Sequence, residues 1–388
     1  MRRYIASKFM DDMAVAVRLS PGNADNSLAA GQETHMILSR NNLKLGIPMR
    51  LRIFLGLAVF LPIFQAAPAL AAEELNIYSA RHYDSDELLY DGFRKATGVP
   101  VNVIEGEGPE LLARMKAEGR NSPADVFLTV DAGNLWLAEK ENLFQPASSK
   151  ILDSRIPASL KSPKNLWFGF STRARLIFVN PKKVDPKLVQ TYESLADPRL
   201  KGQICMRSSS AVYNLSLLGA LISHWGPAKA ETWVKGVVAN FARSPQGADT
   251  SLLMSVAAGE CGVTIANHYY FLRLQNSKVA SERAAAKVLT VIFPDQADFG
   301  THVNISGGGL LASAPHKALG IKFLEYLASD PAQKIISGAN YEFPGVASVP
   351  KTPAITALGT FKTDSTNVSI YGQNQAQAQT IFDRAGWR

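Results

Sequence analysis

Two cysteines in 388 residues are too few for a disulfide-dense scaffold, or for a zinc or iron–sulfur site built from thiolates, each of which needs several. One disulfide stays open. Charged residues are also scarce, at 19% against 46% hydrophobic, which excludes a disordered chain and a charge-rich coiled coil. The Gly-x-Ser-x-Gly turn that presents a nucleophilic serine is absent, and so are the His-Glu-x-x-His helix of zinc peptidases and a grouping of two histidines with one carboxylate. These absences argue against an enzyme. Long apolar runs are few, and the one that stands out, residues 53–64, is short for a bilayer, interrupted by Pro62 and followed by no stop-transfer pattern.

That run has the anatomy of an export signal instead. Met49, Arg50 and Arg52 open it, and Ala69-Leu70-Ala71 supplies small residues for cleavage, so residues 49–71 are expected to be a signal peptide. No cysteine near the cleavage site offers a lipid anchor. Residues 1–48 show no clear period and are expected to be unstructured or to precede the true start. Setting aside residues 1–71 removes eight Lys/Arg and four Asp/Glu from totals of 41 and 33, leaving 33 against 29, a net charge of +4. These cations are scattered rather than clustered, which excludes a nucleic-acid partner. An exported, periplasmic chain meets oxidising conditions, where Cys205 and Cys261 can pair.

Along the remaining chain, short apolar strands alternate with amphipathic helices. Residues 75–79, 101–104 and 125–130 read as strands, and 85–97 and 109–118 as helices, with Asp84 and Glu87 spaced as a capping box. The pattern restarts after Arg173, with strands expected at 175–180, 202–206 and 263–266 and a helix at 211–224. A strand over 303–312 and a helix over 316–329 return the chain to its first half. Alternation of this kind predicts an α/β fold with mostly parallel sheets covered on both faces, in two lobes about a hinged cleft. Gly307, Gly308 and Gly309 lack the following Lys-Ser/Thr of a phosphate loop and read as close backbone packing within a strand.

Four segments bring polar and aromatic residues to strand ends: Arg81-His82-Tyr83-Asp84, residues 171–175 with Arg173 and Arg175, residues 208–213 ending in Tyr213, and Asn267-His268-Tyr269-Tyr270. Each alone is a weak signal, since a single tyrosine is usually a half-buried core residue. The cysteines add a link, because Tyr213 follows Cys205 by eight residues and Tyr269 follows Cys261 by eight. A disulfide between them would fix the loops that present the tyrosines. Free buried thiols are the alternative.

If Tyr83, Tyr213, Tyr269 and Tyr270 converge on one cation, its identity is constrained by the phenol pKa near 10. Only a strongly acidic ion holds several phenolates at neutral pH, and ferric iron is such an ion. Calcium and magnesium prefer carboxylates, carbonyls and water, while zinc and copper favour more imidazole or sulfur. Neutral His82 would complete a five-coordinate shell. Fe(III) with four phenolates sums to −1, so a buried shell calls for a cation nearby, and Arg173 and Arg273 are the candidates.

At these residues the sequence resembles the periplasmic ferric-ion-binding proteins of bacterial iron ABC transporters, related in fold to transferrin halves, and in particular the subgroup that uses one histidine and four tyrosines. The resemblance runs from residues 75–83 through 123–127, 207–210 and 267–270 to 299–307. It implies a type II periplasmic binding fold, with lobe 1 at 72–172 plus 299–347 and lobe 2 at 173–298 plus 348–388. It implies Fe(III) as transported ligand, His82, Tyr83, Tyr213, Tyr269 and Tyr270 as contacts, Arg173 and Arg273 beside them, and no organic cofactor. The implied partner is an inner-membrane ABC permease, and the chain is expected to act as a monomer. Some relatives add carbonate or phosphate; with both His82 and Tyr83 present, such an anion is expected to be unnecessary. A phosphonate or polyamine in the same fold, or Fe(II), is the alternative ligand.

Overall fold

In the computed structural model, residues 73–81 and 83–388 are described. The expected extension at 1–48, the signal peptide at 49–71 and His82 lie outside the described residues. Eight strands form the framework: β1 (Leu75–Ala80), β2 (Val101–Glu105), β3 (Val126–Val130), β4 (Phe168–Val179), β5 (Val263–Asn267), β6 (Thr290–Ile292), β7 (Val303–Leu310) and β8 (Phe343–Pro344). Their order is β2-β1-β3-β7-β4-β5, with β6 and β8 pairing on β4.

The sheet is mixed, and among its named strands parallel pairing is confined to β1 with β2 and β1 with β3. The expectation of mostly parallel pairing is corrected by β7 and β4, which run against their neighbours. β4 and β7 pair antiparallel with each other over Phe168–Ala174 and Val303–Gly308, whereas β1, β2 and β3 are linked through helices, which return the chain in the same direction. Residues 202–206 do not form a strand either; Ile204 makes only isolated bridges to Phe241 and Val263. The capping box expected from Asp84 and Glu87 is not formed. The helix Asp86–Thr97 starts instead on a backbone bond from the Asp86 N–H to the Tyr83 carbonyl, 2.8 Å, while the Asp86 carboxylate is engaged by Arg81.

β4 is the element on which the rest is arranged. Its first half pairs with β7 and β8 and places Phe168 and Phe170 in an apolar core with β1, β3 and the helices over them. Its second half pairs with β5 and β6, where alternate side chains enter two further cores. Ile177 and Val179 face one, and Ala174, Leu176 and Phe178 face the other. The two-residue side-chain period explains how one uninterrupted apolar run serves both faces.

The glycine triplet sits in β7 opposite β3 and β4, as close packing predicts. A Cβ at Gly307 or Gly309 would collide with the carbonyls of Phe168 or Leu166, and one at Gly308 would come within 2.7 Å of the Phe127 carbonyl. The C-terminal residues divide between cores: Val349, Val368 and Tyr371 pack in the first, and Ile381, Phe382 and Trp387 in the second.

Cys205 and Cys261 are joined by a disulfide, with Cα atoms 5.9 Å apart and a sequence separation of 56. Cys205 also donates its N–H to the Val263 carbonyl, 3.0 Å. The bridge therefore fastens the segment after Ile204 to the start of β5. On the chain-entropy account, a loop of this size is worth about 4 kcal/mol. The double variant Cys205→Ala/Cys261→Ala should lose stability of that order in denaturant unfolding; a variant as stable as the parent would show that the bridge constrains nothing.

Candidate metal centre

Three helix starts deliver the four tyrosines. Tyr83 lies in the turn before the helix Asp86–Thr97, Tyr213 in the first turn of Val212–Trp225, and Tyr269 and Tyr270 in the first turn of His268–Gln275. The last of these follows β5 directly, with Asn267 as its N-cap residue. Positive ends of helix dipoles thus face the region in which phenol oxygens could carry charge.

Although 186 residues separate them, Tyr83 donates its phenol proton to the Tyr269 hydroxyl at 3.5 Å, and their rings meet edge to face with centroids 6.3 Å apart. Tyr269 and Tyr270 lie ring against ring at 4.2 Å. Tyr213 belongs to the same electrostatic neighbourhood, since ionising it makes ionisation of Tyr83, Tyr269 and Tyr270 harder. Three of the rings are in contact, and Tyr213 lies close enough to interact with them electrostatically.

Burial is the first cause that pushes the pKa of Tyr83, Tyr269 and Tyr270 up. Mutual repulsion adds to it: Glu342 and Tyr213 act on Tyr83, Tyr213 and Tyr83 on Tyr269, and Tyr213 and Asp249 on Tyr270. Tyr269 has no exposed surface at all. At neutral pH these three are neutral phenols, poised to ionise only for a cation that repays both desolvation and repulsion.

Guanidinium groups surround them. Arg273 sits over three of the rings, 5.3 Å from Tyr83, 5.0 Å from Tyr269 and 5.7 Å from Tyr270, and donates to the Asn340 side-chain oxygen. Arg173 is 1% exposed, lies 5.4 Å from the Tyr213 ring and donates one N–H to the Ile305 carbonyl. Its Nε and Nη1 have no protein partner. Burial opposes the Arg173 charge, but the negative charge that Tyr213, Tyr83, Glu342 and Tyr269 can bear outweighs that, so its pKa is raised.

Arg81 and Arg175, which lie in segments that the sequence singles out but to which it gives no role, also belong here, as do Arg207, Glu342 and Asp249, which the sequence does not reveal. Arg81 lies 5.0 Å from the Tyr83 ring and is held by Asp86 at 2.9 Å, with Glu342 at 3.9 Å. Arg175 and Arg207 approach the Tyr213 ring at 5.6 and 5.2 Å, and Asp249 binds both. The signal for Arg175 was present, because side chains two apart in a strand share a face and Arg173 had been singled out. Asp249 opens a helix, which is where an ordinary surface acid would be expected.

His268, His224 and His316 have structural partners. His268 is buried, with Nδ1 accepting from the Ala174 N–H at 3.2 Å and Nε2 donating to the Tyr341 carbonyl at 2.8 Å. Burial holds its pKa down at about 3, so it is a neutral ring tying β4 to the residues before β8. His224 pairs with Asp364, and His316 with Asp125. Among the described residues there is no cluster of three or more His, Cys, Asp or Glu able to hold a metal. The phenols are the donor set that the region offers.

Residues 121–363 match the family described as bacterial extracellular solute-binding protein. The chain is 46% identical over 316 residues to iron uptake protein A1 of a Synechocystis strain, covering 81% of this chain and 88% of that protein. A Trichodesmium protein solved with iron and citrate ligands superposes with a TM-score of 0.79 at 52% identity, over 81% of this chain and all of that one. The ferric binding protein from Campylobacter jejuni superposes with a TM-score of 0.78 at 40% identity, over 81% and 100% of the two chains.

Proposed function

The chain belongs to the bacterial extracellular solute-binding protein family, and from that premise we propose that it captures ferric iron with the phenol oxygens of Tyr83, Tyr213, Tyr269 and Tyr270 and hands it to a membrane ABC permease. The observation that carries this reading is the gathering of four tyrosines from three distant segments under five arginines. Ferric iron is the transported cargo, and no organic cofactor takes part. His82 is proposed as the fifth contact, on the strength of its place beside Tyr83 in sequence.

Charge is the physical test of the fit. Four phenolates would overcompensate Fe(III) by one negative charge, and a buried anion of that kind is costly alone. Arg173 supports the reading because it is buried, charged and has two N–H groups free to face the shell. Arg273, lying over three of the rings, is proposed as the second neutralising group. A polyamine would need carboxylates, yet Glu342 and Asp249 are already engaged by arginines.

Capture is proposed to work by closure of two lobes, 72–172 with 299–347 and 173–298 with 348–388, although Val349, Val368 and Tyr371 of the last segment pack in the first core and only Ile381, Phe382 and Trp387 in the second. The first brings Tyr83, with Arg81 behind it; the second brings Tyr213, Tyr269 and Tyr270. Metal binding then selects the closed arrangement, because the full set of oxygens exists only when the lobes meet. The family is one of solute-binding transport proteins, and the chain is proposed to catalyse nothing and to act as an exported, periplasmic monomer. No helix among the described residues is long and apolar enough to cross a membrane.

Titrating the protein with ferric iron should give a visible phenolate-to-iron charge-transfer band. Tyr213→Phe and Tyr270→Phe should each weaken binding and shift or bleach that band, whereas Tyr341→Phe should do neither; a colourless one-to-one complex would sink the proposed coordination. The same titration without citrate or phosphate should give the same band, and a band that needs citrate would return an external anion to the shell.

Proton linkage gives a further expectation. Tyr83, Tyr269 and Tyr270 have raised pKa values and bind iron only as phenolates, so loading must expel their protons. Lowering the pH therefore favours the protonated, metal-free form. Iron affinity should fall steadily between about pH 8 and about pH 5, with proton release measurable in weak buffer. An affinity that does not vary with pH would contradict phenolate binding.

A further inference from the structure

Asp249 is the first residue of the helix Asp249–Ala258 and has no exposed surface. A buried carboxylate is tolerated only when its lone pairs are satisfied, and this one meets three different segments. Its Oδ2 accepts from Arg175 Nη1 of β4 at 2.6 Å and from the backbone N–H of Asn267 at 2.9 Å. Its Oδ1 accepts from Arg207 Nη1 at 3.3 Å.

Each of those contacts leads to a tyrosine. Asn267 is the N-cap residue of the helix whose first turn holds Tyr269 and Tyr270, so its N–H fixes where that turn begins. Arg175 passes the connection on, because its Nη2 donates to Asn214 Oδ1 at 3.1 Å, one residue beyond Tyr213. Asn214 in turn donates to the carbonyls of Arg207 and Ser208, each at 3.1 Å, and so holds the loop that enters Tyr213's helix. Both arginines also face the Tyr213 ring.

From this geometry we infer that Asp249 is a positioning residue for the metal centre, setting the Tyr213 segment and the Tyr269-Tyr270 segment in register through Arg175, Asn267 and Asn214. It touches no iron itself, and the inference rests on the proposed ferric site. The disulfide fastens the same two segments at their far ends, eight residues before Tyr213 and eight before Tyr269. Asp249 fastens them at the near ends, where the phenol oxygens must be placed. The carboxylate has a second effect. It pairs with two of the three guanidinium groups beside Tyr213, so the local field on that phenol depends on it.

The test uses Asp249→Asn, which keeps the shape and removes the charge. Loss of a group that orients metal ligands typically weakens binding by about tenfold to a hundredfold. Asp249→Asn should lower ferric affinity by that order and move the charge-transfer maximum, with far-ultraviolet circular dichroism unchanged. A purely structural carboxylate would lower the melting temperature yet leave the affinity and the band position of the folded protein as they are, and that result would overturn the inference. If Asp249→Asn does not fold, Asn214→Ala carries the test. It cuts the path from Arg175 to the Tyr213 loop without changing any charge and should move the band in the folded protein; an unmoved band and unchanged affinity there would overturn the inference equally. A parent protein that gives no band at all would instead remove the ferric site, and the positioning role with it.

Discussion

The structure depends on the cost of holding ionisable oxygens away from water. Phenols are acceptable in a protein interior because they are neutral at ordinary pH. Placed together and buried, Tyr83, Tyr269 and Tyr270 become harder still to ionise, first through desolvation and then through one another. Such a site discriminates by charge. A weakly acidic cation cannot displace several protons from so unfavourable a position, whereas a trivalent ion gains enough from each anionic oxygen to do so. The arginines shift that balance only partly, since their own burial is also costly.

The surrounding ion pairs follow from the same constraint. Arg81 is held by Asp86, Arg175 by Asp249, and Glu342 by Arg81 together with the hydroxyls of Ser171 and Ser306. Arg173 differs, being held by a backbone carbonyl while two of its N–H groups face no protein acceptor. In the proposed shell that difference is functional. Arg81 and Arg175 are structural cations whose charge is largely compensated, whereas Arg173, like Arg273, would gain its compensation with the proposed ligand.

Much of this was legible in the sequence, and for identifiable reasons. Strands β1, β3, β5 and β7 announced themselves as short apolar runs, and the tyrosines stood out because a phenol at a strand end, repeated in several segments, is an unusual pattern. The pairing of Cys205 with Cys261 was legible from equal spacing to Tyr213 and Tyr269 together with an export signal. What was not legible depends on direction and on distant partners. The antiparallel course of β4 and β7 is hidden, because an apolar run reads the same in either direction. Residues 202–206 look like a strand because Ile204, Cys205 and Met206 are apolar and buried, but only Ile204 finds bridging partners. Asp84 looks like a cap, but the backbone of Tyr83 already occupies that place. Glu342 and Asp249 read as exposed acids because nothing local reveals the arginines that bury them.

β4 brings these threads together. Its twelve residues run without a break from a core containing Phe168 to cores containing Ile177 and Phe178, and midway they carry Arg173 and Arg175 on one face. Arg173 bonds to the carbonyl of Ile305 on β7, while Arg175 reaches Asp249 and Asn214 beside Tyr213. The hydroxyl of Ser216, three residues past Tyr213, donates to Asp131 at the end of β3, 2.6 Å away, and Asn304 of β7 donates to the same carboxylate. The strands that connect the halves are therefore also the strands that hold the charges. In the proposed closure, a swing of one lobe about β4 and β7 would move Tyr213 relative to Tyr83 while Arg173 stays near the pivot. A cation placed at a pivot can serve an anionic shell as it forms without itself having to travel, which is why a continuous strand, rather than a flexible loop, suits that position.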